Sequence, residues 1–139
     1  MKISDIYTKA NADKGATIQV PFSKGKRKPT LKIYGQDGDF FEARWRENAI
    51  ELSRILTLPL CEQAGAKKEA DFSLVASFII EWSFVEECTA ENKLKLLKES
   101  PGIFELVNEA VFDRSLFVWI MTPRHGNPSW KPSSKRQKQ

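Results

Sequence analysis

The sequence predicts a mainly α protein: a small multi-helix domain with an N-terminal β-hairpin or extended arm and a disordered basic C-terminal tail. Three observations predict it. Apolar residues recur at steps of three and four through 41–111, short alternating runs occupy 17–34, and from Arg124 onward the chain is basic, proline-bearing and poor in apolar residues. The arm covers 1–35, the helical domain 36–121 and the tail 122–139. A chain of 139 residues with 41% hydrophobic side chains has material for one core.

The elements follow in order. Residues 4–10 can form one or two helical turns. Residues 17–22 alternate, with Ile18, Val20 and Phe22 on one side, and 30–34 alternate again through Leu31 and Ile33. Between them Ser23-Lys24-Gly25-Lys26-Arg27-Lys28-Pro29 is an exposed loop, so the pair reads as a hairpin with a basic tip. A lone hairpin is marginal in water, and this one must pack on the helices or stay mobile.

Gly35-Gln36-Asp37-Gly38 is a turn, and Asp39 with Glu42 reads as a capping box. The helix over 41–56 carries the stripe Phe41, Trp45, Ala49, Leu52 and Leu56, with Arg44, Glu47, Glu51 and Arg54 opposite. Leu58-Pro59 ends it. Residues 62–69, which include Gly65, read as a polar linker. Asp71 then caps a second, central helix over 72–82 with Phe72, Val75, Ile79 and Trp82 as its stripe, against which the Trp45 stripe is expected to pack. On this reading Trp82→Ala costs several kcal/mol, as large-to-small core changes do. Thr89 caps a third, short helix that turns Leu94 and Leu97 to the core. Ser100-Pro101 opens a fourth, with Phe104, Val107 and Val111 inward, and the chain continues through 116–121 until Pro123.

Charge is unevenly distributed. Residues 1–33 hold 8 basic and 2 acidic side chains, 34–123 hold 9 and 16, and 124–139 hold 5 and none. The body is therefore acidic and repels a phosphate backbone, while only the two ends are basic. No apolar h-region follows Met1, and no apolar run approaches the roughly 20 residues that cross a bilayer. Cys61 and Cys88 fit no CxxC or zinc spacing and are expected as buried free thiols in a reducing compartment, the cytoplasm. The single histidine, His125, falls in the tail. Metal sites and nucleophile–histidine pairs thus lack their usual base, and the expectation is a non-enzyme with no cofactor.

The aromatic content points to binding. Ser115 to Met121 reads Ser-Leu-Phe-Val-Trp-Ile-Met, and six consecutive bulky side chains cover more than one turn of about 3.6 residues. A surface helix buries only a stripe, so Phe117 and Trp119 are expected to contribute to a partner surface or to self-association unless the hairpin covers them.

One stretch resembles a known family. Phe78-Ile79-Ile80-Glu81-Trp82-Ser83-Phe84, then Glu87-Cys88-Thr89-Ala90-Glu91-Asn92, Leu96-Leu97, Phe104 and Phe117 are similar to tail assembly chaperones of long-tailed bacteriophages; Gln36 to Arg46, entering a helix through phenylalanines, is similar too. The likeness covers roughly 30–120 and rests on caps and core residues. It implies a protein that binds the tape measure protein in the host cytoplasm, keeps it soluble, helps tail tube subunits polymerise around it, and is absent from the finished virion. It also implies self-association, and often a longer form made by frameshifting. Two other readings stand beside it: a nucleic-acid-binding or regulatory module using the basic arms, and a structural head–tail protein.

Overall fold

Backbone pairing, more than helix periodicity, organises the first third of the chain. In the computed structural model, which describes residues 1–118, a 3-10 turn at Ile3–Ile6 leads into α1 (Lys9–Lys14), then β1 (Ala16–Gln19) and β2 (Thr30–Ile33). The two strands form the expected antiparallel hairpin, with Ile18 opposite Leu31 and Ala16 opposite Ile33. Next come α2 (Asp39–Ile55), α3 (Leu60–Ser77), β3 (Ile79–Trp82), α4 (Ala90–Glu99), α5 (Pro101–Val111) and a 3-10 turn at Arg114–Phe117. The fold is mainly helical with a three-stranded antiparallel sheet in the order β1-β2-β3.

The second helix is the largest departure from expectation. It starts at Leu60, so the polar stretch at 62–69 is its first half and Asp71 lies in its interior, paired with Lys67 at 3.5 Å. Alanine, glutamine, glutamate and lysine there are strong helix formers, and Gly65 meets open space, so one glycine does not break the helix. The helix stops at Ser77, and Ile79–Trp82 is a strand instead. Aromatic and β-branched residues at 78–80 suit a strand, and the backbone finds partners on β2. Leu31 faces Trp82, Ile33 faces Ile79, and the register shifts between Lys32 and Ile33. Trp82 is thus a half-buried strand residue whose indole donates to the Glu86 carbonyl at 2.7 Å, and not the anchor of a central helix.

Ile18, Val20, Leu31 and Ile33 share one buried cluster with Leu74, Val75, Phe78, Leu97, Val107, Val111 and Phe117. The arm at 1–35 and the helices at 36–118 therefore pack as one core, not as two parts. Thr89 caps α4 as expected, accepting from the Asn92 N–H at 3.2 Å. Pro101 is the first residue of α5, after Ser100.

Helix α2 is capped differently from the sequence reading. Its N-cap is Gly38, and the side chain that satisfies the first turn comes from α1: Asp13 Oδ1 accepts from the Phe40 N–H at 3.1 Å. A Cβ on Gly38 would collide with that carboxylate, which explains the glycine. We expect Asp13→Ala to lose about 1 kcal/mol, the usual value of an N-cap, in urea unfolding; no change would show that water replaces the cap at no cost. Asp37 ties three segments together. It accepts from the Thr8 hydroxyl and takes a two-pronged bond from Arg114 at 2.8 and 2.9 Å. The Arg114 guanidinium first, and the Thr8 hydroxyl second, hold its carboxyl below the ordinary aspartate value.

The buried face of α2 is rotated away from the predicted stripe. Phe41, Asn48 and Ile55 point inward, with Asn48 only 8% exposed, while Trp45 is 47% and Leu56 72% exposed. Trp45 does not pack on α3 as a stripe; its ring contacts Phe41 and the edge of Phe112. The inward positions Phe41, Asn48 and Ile55 fall at steps of seven, and Phe41 stacks on Phe78 of the core with ring centres 4.9 Å apart. Beside them a gap of about 340 Å³ between α2, α3 and α4 is lined by Arg44, Asn48, Glu51, Glu69 and Ser73 among others.

Candidate binding clefts

The sequence nominated Phe117 and Trp119 for a partner surface. Phe117 is instead 2% exposed and belongs to the core. Its ring lies where a Cβ on Gly35 would sit, 2.8 Å away, and its carbonyl accepts from Asn11 Nδ2 at 2.9 Å. The physical reason is the break after Val111: the chain turns through Asp113 into a 3-10 turn and no longer presents a helical circumference, so Phe117 swings inward under α1. Gly35 and Asn11 supply part of the cover, and Phe117 shares one buried cluster with the hairpin residues Ile18, Val20, Leu31 and Ile33. Trp119, His125 and the basic tail lie outside the described residues.

The cysteines depart from expectation too. Cys61 is exposed near the start of α3, and Cys88 is half-buried, with its thiol 3.9 Å from the Ile80 carbonyl. Burial is the main reason the Cys88 thiol is pushed up from its ordinary value. Among the described residues, no group of three or more His, Cys, Asp or Glu side chains is placed to hold a metal ion. Among the same residues, no helix is long and apolar enough to cross a membrane.

Two apolar clefts flank α4. The larger, about 430 Å³, lies between α3, α4 and α5. Its floor is Phe72 and Phe104, packed edge to face with ring centres 5.4 Å apart, together with Leu97 and Pro101. Lys68 and Lys98 stand on the rim with Asp71 and Glu105. Lys98 lies 5.9 Å over the Phe72 ring and pairs with Glu69 at 3.0 Å, which holds the rim in place. The smaller cleft, about 270 Å³, opens on the other flank of α4 over Trp82, Phe84 and Leu96. Trp82 and Phe84 pack edge to face at 5.4 Å, and Glu86, Lys95 and Glu99 form the rim.

The local sequence builds both clefts. Helix α4 is short and amphipathic; Leu97 is its buried anchor, which leaves Leu96 and Lys98 on opposite shoulders. The loop after β3 folds back because the Trp82 indole holds the Glu86 carbonyl, and this sets Phe84 beside Trp82. An aromatic floor with both signs of charge around it can take a bulky apolar side chain and then pair with either charge next to it. That is the chemistry for receiving an amphipathic helix without a strict sequence demand. Sequence reading assigned Phe72, Trp82 and Phe104 to the core. Their half-buried state comes from the spacing between neighbouring elements, α3, α4 and α5 around Phe72 and Phe104 and β3, its following loop and α4 around Trp82, which periodicity does not encode.

No protein-family model, curated protein or solved structure matches this chain.

Proposed function

We propose that this protein is a tail assembly chaperone of a long-tailed phage, which binds segments of the tape measure protein, keeps that long chain soluble and supports tube polymerisation around it in the host cytoplasm. The observation that carries the reading is the pair of aromatic clefts on opposite flanks of α4, each with rim charges of both signs. A tape measure protein is a very long, helix-rich chain with repeated apolar stripes, and a chaperone for it needs several shallow apolar anchors more than one deep pocket. The likeness of residues 30–120 to such chaperones agrees with this.

Co-expression tests the reading. The tape measure protein from the same genome should be mostly insoluble alone and soluble with this chain. Leu96→Glu combined with Phe104→Glu places carboxylates in both clefts and should return the client to the pellet. The variant's own helicity, measured in parallel, must stay that of the parent. A client that stays soluble with the folded double variant would remove the clefts from the function.

The exposed basic hairpin tip favours a second reading, a nucleic-acid-binding module. Lys24, Lys26 and Arg27 are exposed there, and Lys28 is tied back to the Ser23 carbonyl at 3.1 Å. Gel shifts across a salt series separate the two, since phosphate contacts give strongly salt-dependent binding.

A further inference from the structure

We propose that the gap between α2, α3 and α4 is a carboxylate-binding site, in which Arg44 and Asn48 hold the ligand. The gap is separate from the two clefts beside α4, and the proposal does not rest on the client reading.

Asn48 is the one polar residue buried among the described residues, at 8% exposure. An asparagine inside a helix ordinarily bonds nearby backbone or points to open solvent. Asn48 does neither: its amide lines the gap and makes no hydrogen bond within the described residues. A buried amide without a partner is costly, and the gap is where a partner can reach it.

Arg44 stands one turn earlier, on the same side of α2. Its side chain is 19% exposed, and its one ion pair is with Glu47 at 3.5 Å, which is itself 70% exposed. A charge-assisted hydrogen bond is shorter, about 2.7–2.9 Å, so the guanidinium's N–H fork is left unused. Ser73 of α3 adds a hydroxyl to the lining, and Leu94 of α4 an apolar wall.

The balance of donors and acceptors names the ligand. Glu51 and Glu69 also line the gap, but each is occupied by a cation of its own. Glu51 takes two bonds from Arg54 at 3.2 and 2.5 Å, and Glu69 pairs with Lys98 at 3.0 Å. The unused groups are the Arg44 fork and the Asn48 amide, a surplus of donors that carries positive charge. A carboxylate meets both, since its two oxygens accept several bonds and match a guanidinium edge. A cation would be repelled, and a neutral amide would leave the charge of Arg44 unanswered. At about 340 Å³ the gap far exceeds the about 10–15 Å³ that one water needs, and it admits a carboxylate with its methylene stem. That group arrives either as an aspartate or glutamate side chain of a partner chain or as a small free dicarboxylate.

Side-chain NMR of the full chain tests the proposal. N-acetylglutamate N-methylamide is the probe for a protein-borne carboxylate and glutarate the probe for a free one; N-acetylglutamine N-methylamide is the uncharged control. At least one carboxylate probe should shift the Arg44 Nε–H and Asn48 Nδ2–H signals saturably. The glutamine probe should bind roughly tenfold more weakly or worse, the effect of losing a hydrogen bond to a charged group. Shifts with the capped glutamate assign the site to a partner's side chain, and shifts with glutarate alone assign it to a free dicarboxylate. Arg44→Gln and Asn48→Leu should each weaken binding by a similar factor. Asn48→Leu, which removes an unpaired amide at similar volume, should melt no lower than the parent. A lower melting point would mean that the amide is bonded within the fold, against the proposal. An absence of saturable shifts with both carboxylates, or a glutamine probe that binds as well as they do, overturns it. The comparison of charged with uncharged probes uses the parent alone and stands whatever the variants do to the fold.

Discussion

Phe117→Ala should lower the unfolding free energy by about 3–5 kcal/mol, the range for removing a buried aromatic ring. The ring is almost wholly buried and fills the space over Gly35. Its neighbours are held on three sides: by Asn11 on the Phe117 carbonyl, by the Gln36 N–H on the Val111 carbonyl at 3.1 Å, and by the Arg114–Asp37 bond. A site braced in this way cannot collapse into the cavity that alanine leaves, which puts the cost at the upper end. Urea unfolding measures it. A loss below about 1 kcal/mol is the size expected for a surface position and would mean that Phe117 is not core. The same contact makes Gly35→Val damaging from the other side, because its Cβ would meet the ring at 2.8 Å.

Deleting residues 1–35 should abolish cooperative folding. The deletion removes Ile18, Val20, Leu31 and Ile33, all buried in the shared core. At about 1.5–3 kcal/mol for each buried aliphatic side chain, the loss is roughly 6–12 kcal/mol. That is comparable to the whole stability of a typical domain, about 5–15 kcal/mol. The deletion also strips β3 of its pairing with β2, its one strand neighbour among the described residues, and α2 of its cap from Asp13. Thermal unfolding followed by circular dichroism should show no sharp transition for the 36–139 fragment. A fragment that melts cooperatively near the full chain would mean that the arm is a separate, dispensable piece.

These two expectations mark where sequence reading reached and where it stopped. The hairpin, the Thr89 cap of α4, the Ser100-Pro101 start of α5 and the course of α2, α4 and α5 were legible, because alternation, Thr89 and Pro101 are local signals, although Ser100 makes no side-chain capping bond. The strand at 79–82 was not. Ile79 and Trp82 fit a helical stripe as well as a strand, and a partner strand about fifty positions earlier decides between them. The polar first half of α3 looked like a linker for the same reason: its helicity comes from propensity and from continuity with 70–77, not from an apolar stripe. Gln63 also binds that half to the end of α2, donating to the Leu58 carbonyl at 3.0 Å.

The candidate site was harder to read than the fold. Phe117 was chosen on the premise of a continuous helix through 116–121, and the turn at Asp113 removes that premise. Phe72, Trp82 and Phe104 carried the right chemistry, but periodicity could assign them only to the inside. They line clefts because the elements around α4 leave their flanks uncovered, a property of packing between elements. The flank of α2 shows the converse. Its stripe was plain in the sequence, but the side that faces in is Phe41, Asn48 and Ile55, and an apolar count ignores Asn48.

Hydrogen exchange on the complex with the tape measure protein tests the central claim most directly. The amides of α4, of the loop from Ser83 to Cys88 and of the start of α5 should exchange more slowly in the complex than in the free protein, while the hairpin tip at 23–29 stays unchanged. Protection confined to the hairpin tip, or a full-length client that forms no complex with this chain, would contradict the account.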